Sequence, residues 1–294
     1  MIAVIINPIS GTGRRVDAAR RRAEHARALL AHHGVAGDVH VSERPGHARE
    51  LARDALARGA STILAWGGDG TINEVASEVA FRDASLGVVP GGSGNGLARE
   101  LRIPFDPAAA FSVALGGTTC VIDAGEFDGR LFFNIAGIGL DARIAHRFSE
   151  GGLVRRGFWR YLEITASELW TFHPDDHTIV TDGASLRQRA LLIAIANARQ
   201  YGNGATIAPH ARLDDGRLDV VVVAHRSPLR ALTQVPRVFM GQIERIPGVT
   251  MMTAVEVEVT SAQPMICHVD GEPFVGGTLL KARVRPRALR VRVQ

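Results

Sequence analysis

Lysine is almost absent from this 294-residue chain: Lys281 is the only one, so nearly all the positive charge is arginine. A Walker-A P-loop requires a lysine directly after its glycines, and no glycine-rich stretch here carries one. A Schiff-base mechanism would have to use Lys281, which lies in a strand-like terminal segment, so both familiar lysine chemistries are set aside. Cysteine is equally scarce. Cys120 and Cys267 stand far apart and form neither a metal-ligand nor a disulfide pattern. No apolar run reaches the roughly 18 residues of a transmembrane helix. The start, Met1-Ile2-Ala3-Val4-Ile5-Ile6-Asn7-Pro8, lacks the basic region and cleavage site of a signal peptide and reads as a first strand. A cytoplasmic location is the resulting expectation. A net charge of +4 with a sequence pI near 9.8 suits phosphate ligands, nucleic acid or an anionic membrane surface. The arginines are dispersed and no recognition motif accompanies them, which argues against nucleic acid.

What is abundant is glycine, and its most informative cluster is Trp66-Gly67-Gly68-Asp69-Gly70-Thr71-Ile72-Asn73-Glu74. It follows the apolar run Ser61–Ala65 and precedes a helix expected over Ile72–Phe81. The glycines predict a turn with φ > 0 that lets a ligand approach backbone N–H groups. Thr71 and Glu74 stand at capping-box spacing, with Thr71 as N-cap and Glu74 reaching back. A helix N-terminus behind a glycine turn binds anions, phosphate above all. Asp69 would repel a phosphate unless it binds a cation or handles a proton, so the cluster points to nucleotide phosphate with Mg²⁺.

The first 120 or so residues alternate strand and helix in the manner of a parallel α/β sheet. Strands are expected at Ile2–Ile6, Val35–Val41, Ser61–Ala65 and Leu86–Pro90, with helices at Arg14–Ala31 and His47–Arg58. Glycine-bearing loops follow strands one, three and four, at the carboxyl ends where such sheets bind ligands. Beyond residue 117 the pattern becomes strand-like and turn-punctuated: Thr118–Phe127, Leu131–Ile135, His177–Thr181, Ala190–Ala196, Leu218–Ala224, Thr250–Thr260 and Met265–Val269. This predicts an antiparallel sandwich. One helical island, Leu153–Phe172, interrupts it, and Leu279–Val293 forms a last basic strand or pair of strands.

Several motifs, in order, carry a resemblance. They are Asn7-Pro8-x-Ser10-Gly11, Gly67-Gly68-Asp69-Gly70-Thr71-x-Asn73-Glu74, and Pro90-x-Gly92-Ser93-Gly94-Asn95-x-Leu97-Ala98. Later come Asn134-x-Ala136-Gly137-x-Gly139-x-Asp141-Ala142, then Ala208-Pro209-x-Ala211-x-Leu213-Asp214-Asp215-Gly216-x-Leu218-Asp219, and finally Asp270-Gly271-Glu272. Over nearly its whole length the chain resembles the diacylglycerol kinase and sphingosine kinase family of lipid kinases, bacterial members included.

The resemblance implies an N-terminal three-layer α/β nucleotide domain, residues 1–120 with about 281–294. It implies a C-terminal antiparallel β-sandwich for lipid, residues 121–280, with the active site in the cleft between them. Its implied activity is ATP- and Mg²⁺-dependent transfer of the γ-phosphate to a lipid hydroxyl. Nucleotide contacts carried over by motif are Asn7, Ser42, Gly67, Gly68, Asp69, Gly70, Thr71, Asn73, Glu74, Gly92, Ser93 and Asn95. Glu272 is implied as general base, Asp270 as its orienter or a Mg²⁺ ligand, and Asp69 as a catalytic carboxylate. Asp141 is implied to bind the lipid head group. Asp215, with the backbone carbonyls of Arg212 and Arg217, is implied to hold a structural Mg²⁺. Gly96 stands where bacterial diacylglycerol kinases commonly have an Asp, which leaves Asp69 and Asp123 as available carboxylates. The competing readings are a soluble-substrate kinase such as an NAD kinase, and a non-catalytic nucleotide or lipid sensor. The implied partners are a lipid substrate and a peripheral membrane surface, with a homodimer left open.

Leu153–Phe172 also bears on lipid access. Phe158, Trp159, Tyr161, Leu162, Leu169, Trp170 and Phe172 lie there among Arg155, Arg156 and Arg160. Aromatic residues beside arginines suit an interfacial element, although an aromatic stripe at helical spacing equally suits a core helix.

Overall fold

The computed structural model describes residues 1–8, 15–150 and 158–294, the side chains of 15–17, 148–150 and 158–162 excepted. Ser10 and Gly11 of the first motif, and Leu153, Arg155 and Arg156 of the aromatic island, lie outside the described residues. So do the side chains of Phe158, Trp159, Arg160, Tyr161 and Leu162. The chain divides into two compact units, Met1–Ile122 with Arg287–Gln294, and Asp123–Pro286.

The first unit runs β1 (Ile2–Ile6), α1 (Arg15–His32), β2 (Gly37–Val41), α2 (His47–Ala57), β3 (Thr62–Gly67), α3 (Asp69–Val79), β4 (Ser85–Pro90), α4 (Gly96–Glu100) and α5 (Pro107–Gly116). Its strands are parallel in the order β2-β1-β3-β4, and Arg290 and Val291 add the chain's last strand, also parallel, beside β4. β1, β3 and β4 are buried nearly throughout, as strands covered on both faces must be. One cover is built on Trp66: His25 of α1 and Phe111 of α5 each set a ring 5.7 Å from its ring, edge to face. α2 and α3 pack on each other as another layer.

The second unit contains β5 (Thr118–Phe127, entering from the first), β6 (Arg130–Phe132), β7 (Ile135–Gly139), α6 (Leu140–Glu150), α7 (Phe158–Thr171), β8 (Asp176–Thr181), β9 (Ser185–Ala196), β10 (Leu218–Ala224), α8 (Pro228–Phe239), β11 (Val249–Ala254), β12 (Glu256–Ser261), β13 (Ile266–Val269), β14 (Glu272–Val275) and β15 (Leu279–Val293). The pairings of β5 with β6, of β12 with β8 and β15, and among β7, β8, β9, β10, β11, β13 and β14 are antiparallel. One sheet runs β14-β13-β7-β9-β10-β11; the other continues from β9 through β8 and β12 to β15. β9 joins both sheets, pairing with β8 through Ser185–Arg189 and with β7 and β10 through its later residues. Side chains of the two sheets meet in one core that includes Phe127, Phe132, Ile138, Ile179, Ile193, Val220, Val257, Val259 and Leu280.

Three expectations are corrected here. α6 and α8 join α7, so the sandwich carries more than one helical island. The run expected over Thr250–Thr260 is two strands, because both carboxylate oxygens of Asp182 take backbone N–H groups at the break, Val255 at 2.7 Å and Glu256 at 2.9 Å. The strand expected over Leu131–Ile135 ends at Phe132, because Asp270 takes the next three backbone N–H groups. In α7, Leu169 is buried and Phe172, just past the helix, packs on the same small cluster, whereas Trp170 is exposed.

Candidate active site

In the first unit the glycine cluster does something other than its spacing predicts. α3 begins at Asp69, and its N-cap Gly68 is extended, with φ −88° and ψ −174° and no side-chain cap. None of Gly67, Gly68 or Gly70 has positive φ. Glycine is required instead by close approach. A Cβ on Gly67 would sit 2.5 Å from the Cβ of Thr71, and one on Gly92 would sit 2.6 Å from the Cα of Gly68. The second and third loops therefore touch backbone to backbone. The left-handed residue at this edge is Asn95, with φ 51°.

The capping box is absent as well. The Thr71 hydroxyl accepts from the Asn7 amide at 2.8 Å, which ties the first loop to the second. Glu74 turns to a neighbouring helix. Its carboxylate accepts the N–H of Gly46 at 2.9 Å and of Arg49 at 3.3 Å, at the N-terminus of α2. An anion is stabilised there by the helix dipole and the unbonded first-turn donors. Ser42 is buried beside this corner, its N–H bonded to the Ile6 carbonyl.

Asp69 organises the third loop. One of its oxygens accepts the Asn95 N–H at 2.8 Å and the other the Gly96 N–H at 2.6 Å. Asn95 then closes the loop on itself: its side chain accepts from the Gly92 N–H at 2.9 Å and donates to the Gly92 carbonyl at 2.7 Å. Gly96 thus contributes a backbone donor to Asp69 where an Asp would have added a second carboxylate. Ser93 remains exposed at the tip, and Asn73 is buried in α3. All the described nucleotide-site candidates lie at one end of this sheet, beyond β1, β2, β3 and β4. Sequence reasoning missed Arg22 of α1, whose guanidinium donates to the Asn7 carbonyl at 2.7 Å and whose pKa burial lowers. Its signal would have been an arginine two turns inside the helix that follows the first loop.

In the second unit the Asp270-Gly271-Glu272 hairpin joins β13 to β14. Asp270 is buried, with φ 47°. One of its oxygens takes the Phe133 N–H at 2.9 Å; the other takes those of Asn134 at 2.9 Å and Ile135 at 3.1 Å. This is a backbone clamp between distant parts of the chain. Glu272 itself is exposed at the start of β14.

Asp141 is buried at the start of α6. It accepts from the Tyr201 hydroxyl at 2.8 Å and faces His268 Nε2 at 3.3 Å, while its other oxygen takes the Ala142 N–H. His268 Nδ1 accepts the Gly271 N–H at 3.3 Å, so Nε2 carries the proton toward Asp141. Gly137 leaves room for this cluster, since a Cβ there would collide with both Asp141 and His268. Tyr201 and His268 carried no signal in the sequence, because their partners lie 60 and 127 residues away.

At the Asp214-Asp215-Gly216 turn, Asp215 is exposed and accepts the Arg217 N–H at 3.1 Å, while Asp214 pairs with Arg212. Asp123 secures the turn by accepting the Gly216 N–H at 2.7 Å. Behind it Asp219 is buried, and desolvation together with the Asp215 charge pushes its pKa up to about 6. Two neighbouring carboxylates, one of them desolvated, suit a cation. Among the described residues no three His, Cys, Asp or Glu side chains converge, so a cation here would depend on backbone carbonyls.

Comparison with known proteins adds the missing link. Residues 1–127 match the family described as the diacylglycerol kinase catalytic domain, and residues 134–293 the one described as the YegS C-terminal NAD kinase beta sandwich-like domain. A Pseudomonas aeruginosa protein named "Probable lipid kinase YegS-like" is 34% identical over 282 residues, which cover 91% of this chain and 89% of that protein. The chain belongs to the diacylglycerol kinase-like family of lipid kinases. A diacylglycerol kinase of Mycobacterium tuberculosis is 31% identical over 271 residues, 88% of this chain and 84% of that protein. A crystal structure of a diacylglycerol kinase from Bacillus anthracis has the same fold, with a TM-score of 0.71 at 19% identity over all of this chain and 96% of that one. Among the described residues of this lipid kinase relative, no helix is long and apolar enough to cross a membrane.

Proposed function

We propose that the protein transfers the γ-phosphate of ATP to the hydroxyl of a membrane lipid, with Mg²⁺ as the accompanying cation. The observation that carries this reading is the stitched loop edge of the first unit. Asp69 holds the third loop through two backbone N–H groups, and Gly68 and Gly92 meet without side chains between them. The first-turn N–H groups of α3, at Gly70 and Thr71, have no intrahelical partner and would receive nucleotide phosphate. Asn7 fixes Thr71 for the same purpose.

Phosphoryl transfer depends on positioning and charge stabilisation more than on covalent chemistry. When bound, Mg²⁺ would neutralise charge on the transferring phosphate. Asp69 is its first candidate ligand, because it is the carboxylate at which the second and third loops are joined. Glu272, exposed on its hairpin, would take the proton of the attacking lipid hydroxyl onto its carboxylate. Asp270 fixes the hairpin that carries it. A second, structural cation would sit on Asp215 with the carbonyls of Arg212 and Arg217, beside Asp219. Peripheral contact with a bilayer belongs to this reading, since the acceptor is held there.

The test is a screen with γ-labelled ATP and Mg²⁺ over diacylglycerol, sphingosine, ceramide, phosphatidylglycerol and an isoprenoid alcohol, with NAD as the soluble acceptor. Label extracted into the organic phase supports the proposal. Label on NAD alone, or on no acceptor, overturns it.

A further inference from the structure

α8 is a helix with two apolar faces, and among the described residues only one of them has a partner. Ala231 and Val238 point inward, packing on separate small core clusters. On the opposite side Leu229, Leu232, Pro236 and Met240 follow at i, i+3, i+7 and i+11, one stripe of a helix with 3.6 residues per turn. Leu229 is 64% exposed, Leu232 42% and Met240 59%. No residue of α8 is buried. A surface helix normally presents charge on that side. α7 packs against α8, and its Trp170 is 62% exposed.

The charges that α8 and its flanking residues carry have one sign. From Val220 to Ile243 the sequence contains Arg226, Arg230 and Arg237 and no acidic residue. Helical geometry places Arg230 and Arg237 along the same flank of the stripe. The first acid beyond, Glu244, is bonded to His210 at 2.8 Å. Leucine, methionine and tryptophan side chains at an interface, with arginines alongside them, are what a membrane-surface helix presents to acyl chains and lipid phosphates.

We propose that the outer face of α8 is the surface by which this protein lies on an anionic phospholipid bilayer. The helix rests in the headgroup layer, its leucines and Met240 toward the acyl chains and Arg230 toward lipid phosphates. This deepens the lipid-kinase reading by naming the element that meets the bilayer, and it uses none of the residues assigned to nucleotide or to proton transfer.

The test is cosedimentation of the full chain, without nucleotide, with vesicles of phosphatidylcholine containing phosphatidylglycerol and with vesicles of phosphatidylcholine alone. Wild type is expected to bind the anionic vesicles and to release them as salt is raised. Each of Leu229→Ser and Leu232→Ser should weaken partitioning roughly tenfold through lost apolar burial. Arg230→Glu should weaken binding to the anionic vesicles selectively. Phosphorylation of a short-chain, water-dispersed acceptor should be unchanged in all three, so a failure of docking and a failure of the kinase reading give different results. Wild-type-like binding by the variants overturns the proposal, as does absence of wild-type binding at low salt. A dimer that dissociates in Leu229→Ser or Leu232→Ser also overturns it, because the face would then join two copies of the chain. Should a serine variant not fold, an environment-sensitive fluorophore on Leu232→Cys in a Cys120→Ser background gives the same answer: a blue shift with anionic vesicles is expected, and no shift refutes docking.

Discussion

The resemblance implies a part for Asp270 in the chemistry, the structure shows it holding three backbone N–H groups, and its removal separates the two roles. Asp270→Ala takes away the acceptor for three buried N–H groups, those of Phe133, Asn134 and Ile135. Each orphaned donor costs about 1–3 kcal/mol, with shared relaxation reducing the sum. Alanine at φ 47° adds about 1 kcal/mol of backbone strain, which Asp tolerates better. The expected loss is about 4–7 kcal/mol, comparable to the whole stability of an ordinary domain. Asp270→Asn should cost less, about 2 kcal/mol, because one oxygen survives while the amide NH₂ faces a donor. The assay is urea unfolding of wild type and both variants by tryptophan fluorescence, alongside turnover. The order of midpoints should be wild type, then Asn, then Ala, with turnover falling in the same order. Unchanged midpoints with abolished turnover would refute the clamp and return Asp270 to the chemistry.

Other outcomes follow from the same contacts. Gly92→Ala puts a Cβ against the Gly68 backbone, where nothing flexible can yield; isothermal titration should show nucleotide affinity reduced at least tenfold, and an unchanged affinity would separate these loops from nucleotide binding. Cys267 is fully buried and burial is the main cause that pushes its pKa up to about 12, whereas Cys120 is half-exposed. A thiol-reactive dye should therefore label Cys120 in the native protein and reach Cys267 only in denaturant. Burial lowers the pKa of His177 below 6.5. The unfolded chain then takes up that proton first on acidification, so stability linked to the neutral ring is intact above about pH 6.5 and declines below it. A His177→Phe variant should flatten this segment of a melting-temperature profile; an identical slope in both proteins would exclude His177 as the cause.

The parallel strands were legible because apolar β-branched runs and turn residues are local signals. β5 and β10 match their expected limits for the same reason. Signals of spacing failed wherever a distant partner competed. Thr71 and Glu74 have capping-box spacing, yet Glu74 is captured by Gly46 and Arg49 on α2, whose bare N-terminus is a stronger site for a carboxylate. The glycines of the second loop were read as turn formers, but the contact that demands them, Gly68 against Gly92, lies across the sheet edge. Asp182 and Asp270 broke two expected strands from 73 and 135 or more residues away. α6 and α8 were passed over among strand-like neighbours, although the three- and four-residue spacing of apolar residues in α8 was there to be read. Asp141 was singled out from its motif; its partner Tyr201 comes from a distant loop, and its buried partner His268 emerges only when β13 pairs with β7.

The central claim is that this chain moves a phosphate from ATP to a lipid hydroxyl with Glu272 as the base. Wild type and Glu272→Gln, compared in one experiment for nucleotide affinity and for label transferred into extracted lipid, test it most directly. The expected result is equal affinity, with transfer lowered by roughly 10²–10⁴-fold in the variant. Near-wild-type transfer by Glu272→Gln would contradict the account.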